Sequence, residues 1–274
     1  MGFSNSASKI FGIIAKYKFP KIIQKNINKA YVNAFNINMS EFKSLGEYES
    51  LNALFTRTLL NERELEDGFI SPSDGKILEL GSSFQNDLKE NLAFSIKGSS
   101  YSIEELLKNS ASKEELENGI DYANIYLSPK DYHHYHAPCN MQILSATYMS
   151  GALFSVSEAK LAKIINLYTK NERVVLKCLV EGKFILWMVF VGALNVGKMH
   201  FSFDTSVQTN AANFDFTHTY DGLFVKKGQR LGNFELGSTI VLIAQKGFLK
   251  FSKNAYEQVE FSKKIADFAY SHLH

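Results

Sequence analysis

From Ile70 onward the chain advances in short apolar runs, each closed by Gly, Asn, Asp or Ser, and this punctuation restricts it to strands joined by turns. Runs of this kind are 76–80, 124–127, 142–148, 173–180, 183–191, 197–203 and 238–244. The longest apolar stretch, from Phe184 to Gly197, is interrupted by Asn195 and is too short to span a bilayer, so it reads as a buried strand. Two helical interruptions are expected, one over 102–118 opened by a capping box of Ser102 and Glu105, the other over 157–167. The tail, 256–274, reads as a closing helix or an irregular arm. No internal repeat or low-complexity linker divides the chain. The pattern therefore predicts an α+β protein, with a β-rich domain over 66–274 behind a helical extension over 1–65.

The extension has a charge pattern of its own. No acidic residue precedes Glu41, whereas Lys9, Lys16, Lys18, Lys21, Lys25 and Lys29 alternate with Ile10, Ile13, Ile14, Tyr17, Ile22 and Ile23. Spacings of three and four predict an amphipathic helix, broken or kinked near Pro20. A basic helix of this type suits the surface of an anionic bilayer, where each lysine contributes about 1 kcal/mol. The plainer alternative is a helix packed on the core with its lysines in water. Residues 38–65 read as further helix, with Leu45, Tyr48, Leu51, Leu54 and Phe55 on a repeating face. Two cysteines, Cys139 and Cys178, are too few for a disulfide framework and point to a reducing compartment, with Cys139 as buried packing.

Residues able to carry chemistry cluster in two places. Three of the seven histidines, His133, His134 and His136, fall between Pro129 and Pro138. On a strand, His134 and His136 would share one face and His133 the other. Neutral imidazole can bind a metal, although no Cys or carboxylate stands at a familiar ligand spacing nearby. It can also act as an acid or base near neutral pH, or simply pack in a surface loop. Asp74, before Gly75 at a strand entrance, is either a turn-former or a carboxylate that orients a histidine.

A third feature is Gly237-Ser238, at the mouth of the last long strand. Gly-Ser also occurs at 81–82 and 98–99, in stretches that read as loops, so the dipeptide alone indicates no more than a turn. Held under strain, however, such a bond can be attacked by its own hydroxyl, and the break can convert the serine into a carbonyl cofactor.

Six motifs follow in order: Ser-Pro-Ser-Asp-Gly at 71–75, Leu-Ser-Pro-Lys-Asp-Tyr-His-His-Tyr-His-Ala-Pro at 127–138, Gly-Ala-Leu-Phe-Ser-Val at 151–156, Asn-Glu-Arg-Val-Val at 171–175, Val-Gly-Ala-Leu-Asn-Val-Gly at 191–197, and Lys-Gly-Gln-Arg-Leu-Gly-Asn-Phe-Glu-Leu-Gly-Ser-Thr at 227–239. Across about residues 50–245 this set closely resembles the bacterial-type phosphatidylserine decarboxylases, which are pyruvoyl-dependent. The resemblance implies cleavage between Gly237 and Ser238, with Asp74 and His136 as the relay that activates the serine hydroxyl and His133 serving the decarboxylation cycle. His134 stands where the family often has arginine and receives no role. The two chains would be 1–237 and 238–274. A pyruvoyl cofactor made from Ser238 would form a Schiff base with phosphatidylserine and release CO2, leaving phosphatidylethanolamine. The resemblance further implies a barrel-like core related to a duplicated hybrid motif, a homodimer, and peripheral attachment at the cytoplasmic face of the cell membrane. No metal and no nucleic-acid partner is expected. Two alternatives are a metal-dependent hydrolase using His133, His134 and His136, and a non-catalytic barrel that binds lipid surfaces.

Overall fold

A computed structural model describes residues 14–83, 93–96, 99–156, 166–193, 198–208, 214–235 and 238–269. After a helical stretch at 14–16 come α1 (Lys21–Phe35) and α2 (Leu51–Phe55), then β1 (Phe69–Ile70), β2 (Gly75–Ser83) and the hairpin β3 (Ala93–Ile96) and β4 (Ser99–Ser102). Two short helices, α3 (Ile103–Leu107) and α4 (Lys113–Leu116), lead to β5 (Ile120–Leu127), β6 (His134–His136) and β7 (Met141–Met149). After α5 (Leu167–Lys170) come β8 (Arg173–Val180), β9 (Phe184–Val191), β10 (Met199–Phe201), β11 (Phe216–Thr219) and β12 (Phe224–Val225). The chain closes with β13 (Arg230–Phe234), β14 (Ser238–Gln245), β15 (Leu249–Phe251), β16 (Gln258–Val259) and β17 (Lys264–Phe268).

Why the central strands are uninterrupted apolar runs is clear from their two-sided burial. β14 lies antiparallel between β5 and β9 in a nine-stranded sheet. Its Ile240, Leu242 and Ala244 enter one hydrophobic cluster, while Val241 and Ile243 enter the cluster on the other face. β9 alternates likewise, with Met188 and Phe190 on the first side and Trp187 and Val189 on the second. Pleating sends successive side chains to opposite faces, so a strand covered on both faces loses its polar positions. Gly75 opens β2 because a Cβ there would stand 2.6 Å from the Tyr126 carbonyl oxygen of β5.

The sheet runs β11-β7-β8-β9-β14-β5-β2-β16, with β12 also on β7. Smaller sheets are β1-β17-β15 and β10-β13-β6. The architecture is mixed α/β and dominated by antiparallel pairing, and its two terminal strands, β11 and β16, do not pair with each other among the described residues.

Several helical expectations are corrected. Over 38–65 there is only a 3-10 turn at Leu45–Glu47 and the five-residue α2. Ser44 and Ser50 each restart the chain as N-caps, a polar punctuation that outweighs the apolar periodicity. Ser102 does accept a hydrogen bond from the Glu105 amide, but Lys108 takes φ 45° and Ser112 caps α4 anew, so 102–118 is broken. Most of the expected helix over 157–167 lies outside the described residues. The tail is neither helix nor arm through residue 268, because β16 and β17 extend the sheets there. Among the described residues no helix is long and apolar enough to cross a membrane.

α1 turns the usual pattern around. The residues it buries are Gln24 and Asn28, while Ile22, Ile23 and Phe35 stay exposed beside Lys21, Lys25 and Lys29. Gln24 donates to Asn28 Oδ1 (2.8 Å), and the Asn28 amide donates to the carbonyls of Leu45 (3.0 Å) and Tyr48 (2.9 Å).

Candidate active site

The turn before β6 is built by its own residues. The amide of Ser128 (2.7 Å) and its hydroxyl (2.7 Å) both donate to Asp131 Oδ2, and the Asp131 amide donates back to the Ser128 carbonyl. Burial raises the Asp131 carboxyl above its usual range, against the pull of the Ser128 hydrogen bonds. His133 leads from this fixed turn into β6, which carries His134 and His136; all three are buried, and their faces alternate as the pleat requires. His134 stacks on Tyr132 at 4.8 Å and His136 lies 5.9 Å from the same ring, whereas His133 packs 3.9 Å from Phe55.

Each ring gives one N–H to a different backbone carbonyl. His133 Nδ1 donates to Asp131 (2.8 Å), His134 Nε2 to Thr56 (3.0 Å) and His136 Nδ1 to Gly228 (2.9 Å). The partner fixes the tautomer and leaves a lone pair on the other nitrogen. His136 Nε2 receives the Tyr132 hydroxyl at 3.3 Å, while His133 Nε2 and His134 Nδ1 are buried with no hydrogen-bond partner. Burial keeps all three neutral. It depresses His133 well below its ordinary value, His134 to about 3 and His136 to about 4, with Arg57 or Arg230 adding to the effect. Among the described residues no group of His, Cys, Asp and Glu is placed to hold a metal ion.

Asp74 sits at the start of β2, beside the end of β5. Its carboxylate is clamped by Arg63, Nη1 to Oδ1 at 2.6 Å and Nη2 to Oδ2 at 3.1 Å, and it accepts the Phe261 amide at 2.8 Å. The Phe261 ring stacks on His136 at 3.6 Å, and the His136 amide donates to Pro72 (2.8 Å), two residues before Asp74. Phe261 thus touches both members of the expected relay, but Asp74 and His136 share no direct hydrogen bond.

Ser238 is the first residue of β14, paired with Leu127 of β5, and is fully buried. Its Oγ has no hydrogen-bond partner, and neither has the neighbouring Thr239 hydroxyl. β5 separates Ser238 from the Asp74–Gly75 entrance of β2, a lateral distance of roughly 10 Å across two strand spacings. The approach to Ser238 is set by β13, which pairs with β6; the Phe234 amide donates to the His133 carbonyl at 2.9 Å, four positions before Ser238. Gly237 lies outside the described residues. Unpaired polar atoms in a core are costly, and the hydroxyls of Ser238 and Thr239 and the two imidazole nitrogens are among those that the described residues hold.

Residues that the motifs did not single out complete the site. Arg57 is buried, and its Nη2 donates to the carbonyls of Lys130 (2.6 Å) and Asp131 (3.0 Å), the second being the acceptor that orients His133. Phe55, Thr56 and Arg57, consecutive at the end of α2, therefore address His133, His134 and the turn beneath them. Arg63 and Tyr132 complete the surroundings of Asp74 and His136. The signal was present as two arginines in a stretch read as helix, where charge would otherwise face water. Cys139 and Cys178 are free and buried, and burial pushes the Cys139 thiol up to about 12, as inert packing requires.

The site as a whole holds a core hydroxyl, three neutral imidazoles and an arginine-clamped carboxylate. Comparison with known proteins gives the family. The phosphatidylserine decarboxylase family model matches residues 51–267. A phosphatidylserine decarboxylase proenzyme of Campylobacter jejuni is 64% identical over 268 residues, covering 97% of this chain and 100% of that protein. One from Helicobacter pylori is 46% identical over 98% of both chains, and one from Marinobacter nauticus 32% identical over 91% of this chain and 88% of its own. The chain belongs to the phosphatidylserine decarboxylase family.

Proposed function

We propose that this chain is made as a proenzyme, cuts itself between Gly237 and Ser238, and as a pyruvoyl enzyme decarboxylates phosphatidylserine to phosphatidylethanolamine. The observation that carries the reading is the buried, partnerless Ser238 Oγ at the head of β14. His136 is neutral at working pH, and its Nε2 lone pair, which receives the Tyr132 hydroxyl, can take the serine proton once that hydroxyl yields. The alkoxide attacks the Gly237 carbonyl, the C–N bond breaks, and the released amine takes the proton. Loss of the α-proton and departure of the Gly237 carboxylate leave dehydroalanine, and water then displaces ammonia. Asp74 supports His136 as the acid of the relay. It starts from the Arg63 clamp, so assembling the relay requires that clamp to open.

A pyruvoyl group made from Ser238 would supply an electrophilic carbonyl for the substrate amine and an electron sink for decarboxylation. His133, with Nδ1–H held by Asp131 and Nε2 free, carries the proton to the former α-carbon. The closed surroundings of β6 exclude water from this transfer.

Residues 1–65 form the membrane-associating region and 66–274 the catalytic one, with the barrel-like duplicated hybrid motif as its wider plan and a homodimer as its assembly. The protein lies on the cytoplasmic face of the membrane. Supporting this is α1, whose exposed Ile22 and Ile23 can enter the interface while Lys21, Lys25 and Lys29 meet anionic headgroups. Deleting residues 1–35 should weaken binding to anionic vesicles, more at low salt than at high, and unchanged affinity would return α1 to a packing role.

Intact mass and a denaturing gel test the central step. Active protein should give two fragments, the shorter beginning at position 238 with a blocked keto terminus. Active protein that is full-length, or that carries a free seryl terminus, defeats the proposal.

A further inference from the structure

Beside His136 lies a cavity of about 610 Å³, floored by Tyr132, His136 and Phe261. Residues 58–63 with Leu65 line one side and residues 226–230 the other. The two sides differ in chemistry. Leu59 and Leu65 are half-buried and Leu60 is 55% exposed, so one side is a greasy lip. The other presents Lys226, Lys227 and Arg230.

These cations are short of counter-charges. Among the described residues Lys226 and Arg230 make no ion pair; Arg230 Nη2 donates to the amide oxygen of Asn233 (2.9 Å), and Lys227 Nζ to the backbone oxygen of Glu66 (2.9 Å). Arg63 also lines the cavity but is engaged by Glu41 and Asp74. Glu62 is the sole carboxylate among the described lining residues.

The basic turn is held rigid. Gln229 Oε1 accepts the Lys226 amide (3.0 Å), Asn140 Oδ1 the Lys227 amide (2.9 Å), and the Ala137 carbonyl the Gly228 amide (2.8 Å). Gly228 takes φ +80°, and a Cβ there would stand 2.6 Å from Leu65 Cδ1, so the turn packs closely against Leu65. Its carbonyl is the acceptor for His136 Nδ1. With the backbone fixed, only side-chain freedom remains to be lost when these cations bind an anion.

Resting on the decarboxylase reading, we propose that this cavity is the subsite for the phosphodiester of the phospholipid substrate, gripped by Arg230, Lys226 and Lys227, with Leu59, Leu60 and Leu65 receiving the first part of the acyl chains. Guanidinium and ammonium groups match a phosphate by charge and hydrogen-bond geometry. The substrate carboxylate is the wrong occupant. It leaves as neutral CO2, and cations that held it would stabilise the ground state against the reaction. The phosphate keeps its charge from substrate to product and lies a short run of bonds from the reacting amine, so gripping it aligns the headgroup without opposing the chemistry.

The test uses cleaved enzyme in neutral detergent micelles, as native protein, Arg230→Gln and the double variant Lys226→Gln/Lys227→Gln. Kinetics with short-chain phosphatidylserine give KM and kcat; calorimetry gives Kd for short-chain phosphatidylethanolamine, which has the phosphate and no carboxylate. Both variants should self-cleave on a gel, and KM and Kd should rise together by about tenfold or more, with Arg230→Lys recovering part of the loss. Cleaved variants whose KM and Kd stay within roughly twofold of native overturn the subsite and leave the decarboxylase reading standing. A raised KM with unchanged Kd assigns the cations to the carboxylate and also overturns it. Native protein that releases no CO2 sinks the decarboxylase reading and the subsite with it.

Discussion

α1 and β6 both bury polar side chains, and they do so in opposite ways. In α1 the polar groups end in closed contacts, Gln24 to Asn28 and Asn28 to two backbone carbonyls. In β6, and at His133 just before it, every imidazole gives away one N–H; the other nitrogen receives the Tyr132 hydroxyl on His136 and faces no partner at all on His133 and His134. A buried donor or acceptor left unmade costs about 1–3 kcal/mol, so a fold retains such atoms where something other than stability is served. Complete satisfaction is what a docked element needs, and partial satisfaction leaves polar atoms around β6 able to engage something else. The Ser238 hydroxyl falls on the side of β6.

The comparison can be broken most directly at the relay. His136→Ala and Asp74→Asn should each leave a single uncleaved chain on a denaturing gel, and native-rate cleavage in either removes that residue from the relay. His133→Ala comes next: it should mature normally and turn over roughly 10²–10⁴-fold more slowly, as loss of a proton carrier predicts. A variant that fails to cleave would move His133 into maturation.

Acid should separate the two regions more gently. His136 and His134 are held at about 4 and about 3, below the ordinary 6.5 that they regain on unfolding. The unfolded chain therefore takes up protons that the folded one refuses, and stability from these groups, fully present above about pH 6.5, is lost as pH falls toward 3. Thermal melts between pH 7 and pH 4 should show a falling Tm, with a shallower fall in His136→Asn; equal slopes would deny His136 this role. The smallest effect is expected at α1. Asn28→Ala should cost about 1–3 kcal/mol in denaturant unfolding while self-cleavage proceeds at the native rate. A cleavage defect there would end the distinction drawn between the two elements.

Much of this was readable before any coordinates. The strands of the central sheet announce themselves because two-sided burial leaves continuous apolar runs, and β8 spans the expected 173–180. His134 and His136 share Tyr132 while His133 turns away, as strand periodicity requires. What stayed hidden depends on long-range contacts. Arg63 and Asp74 are close in sequence, yet their clamp also needs Phe261, which the tail supplies by folding as strands. Arg57 reaches the carbonyls of Lys130 and Asp131 from far along the chain, and no local spacing encodes that. The helical readings of 38–65 and 102–118 failed because serine caps at Ser50 and Ser112 break runs whose apolar periodicity continues across them.

β14 sits in the middle of its sheet, zipped to β5 from Ser238 to Gln245 and to β9 from Thr239 to Ala244. Beyond it, β15 and β17 join β1, and β16 joins β2, so the tail is woven back into strands from the earlier chain. A cut immediately ahead of Ser238 would therefore create a new chain end without creating a loose piece. The severed tail would remain an integral plank of the sheet, and its fresh terminus would be fixed in position by neighbours on both sides rather than by the peptide bond it had lost.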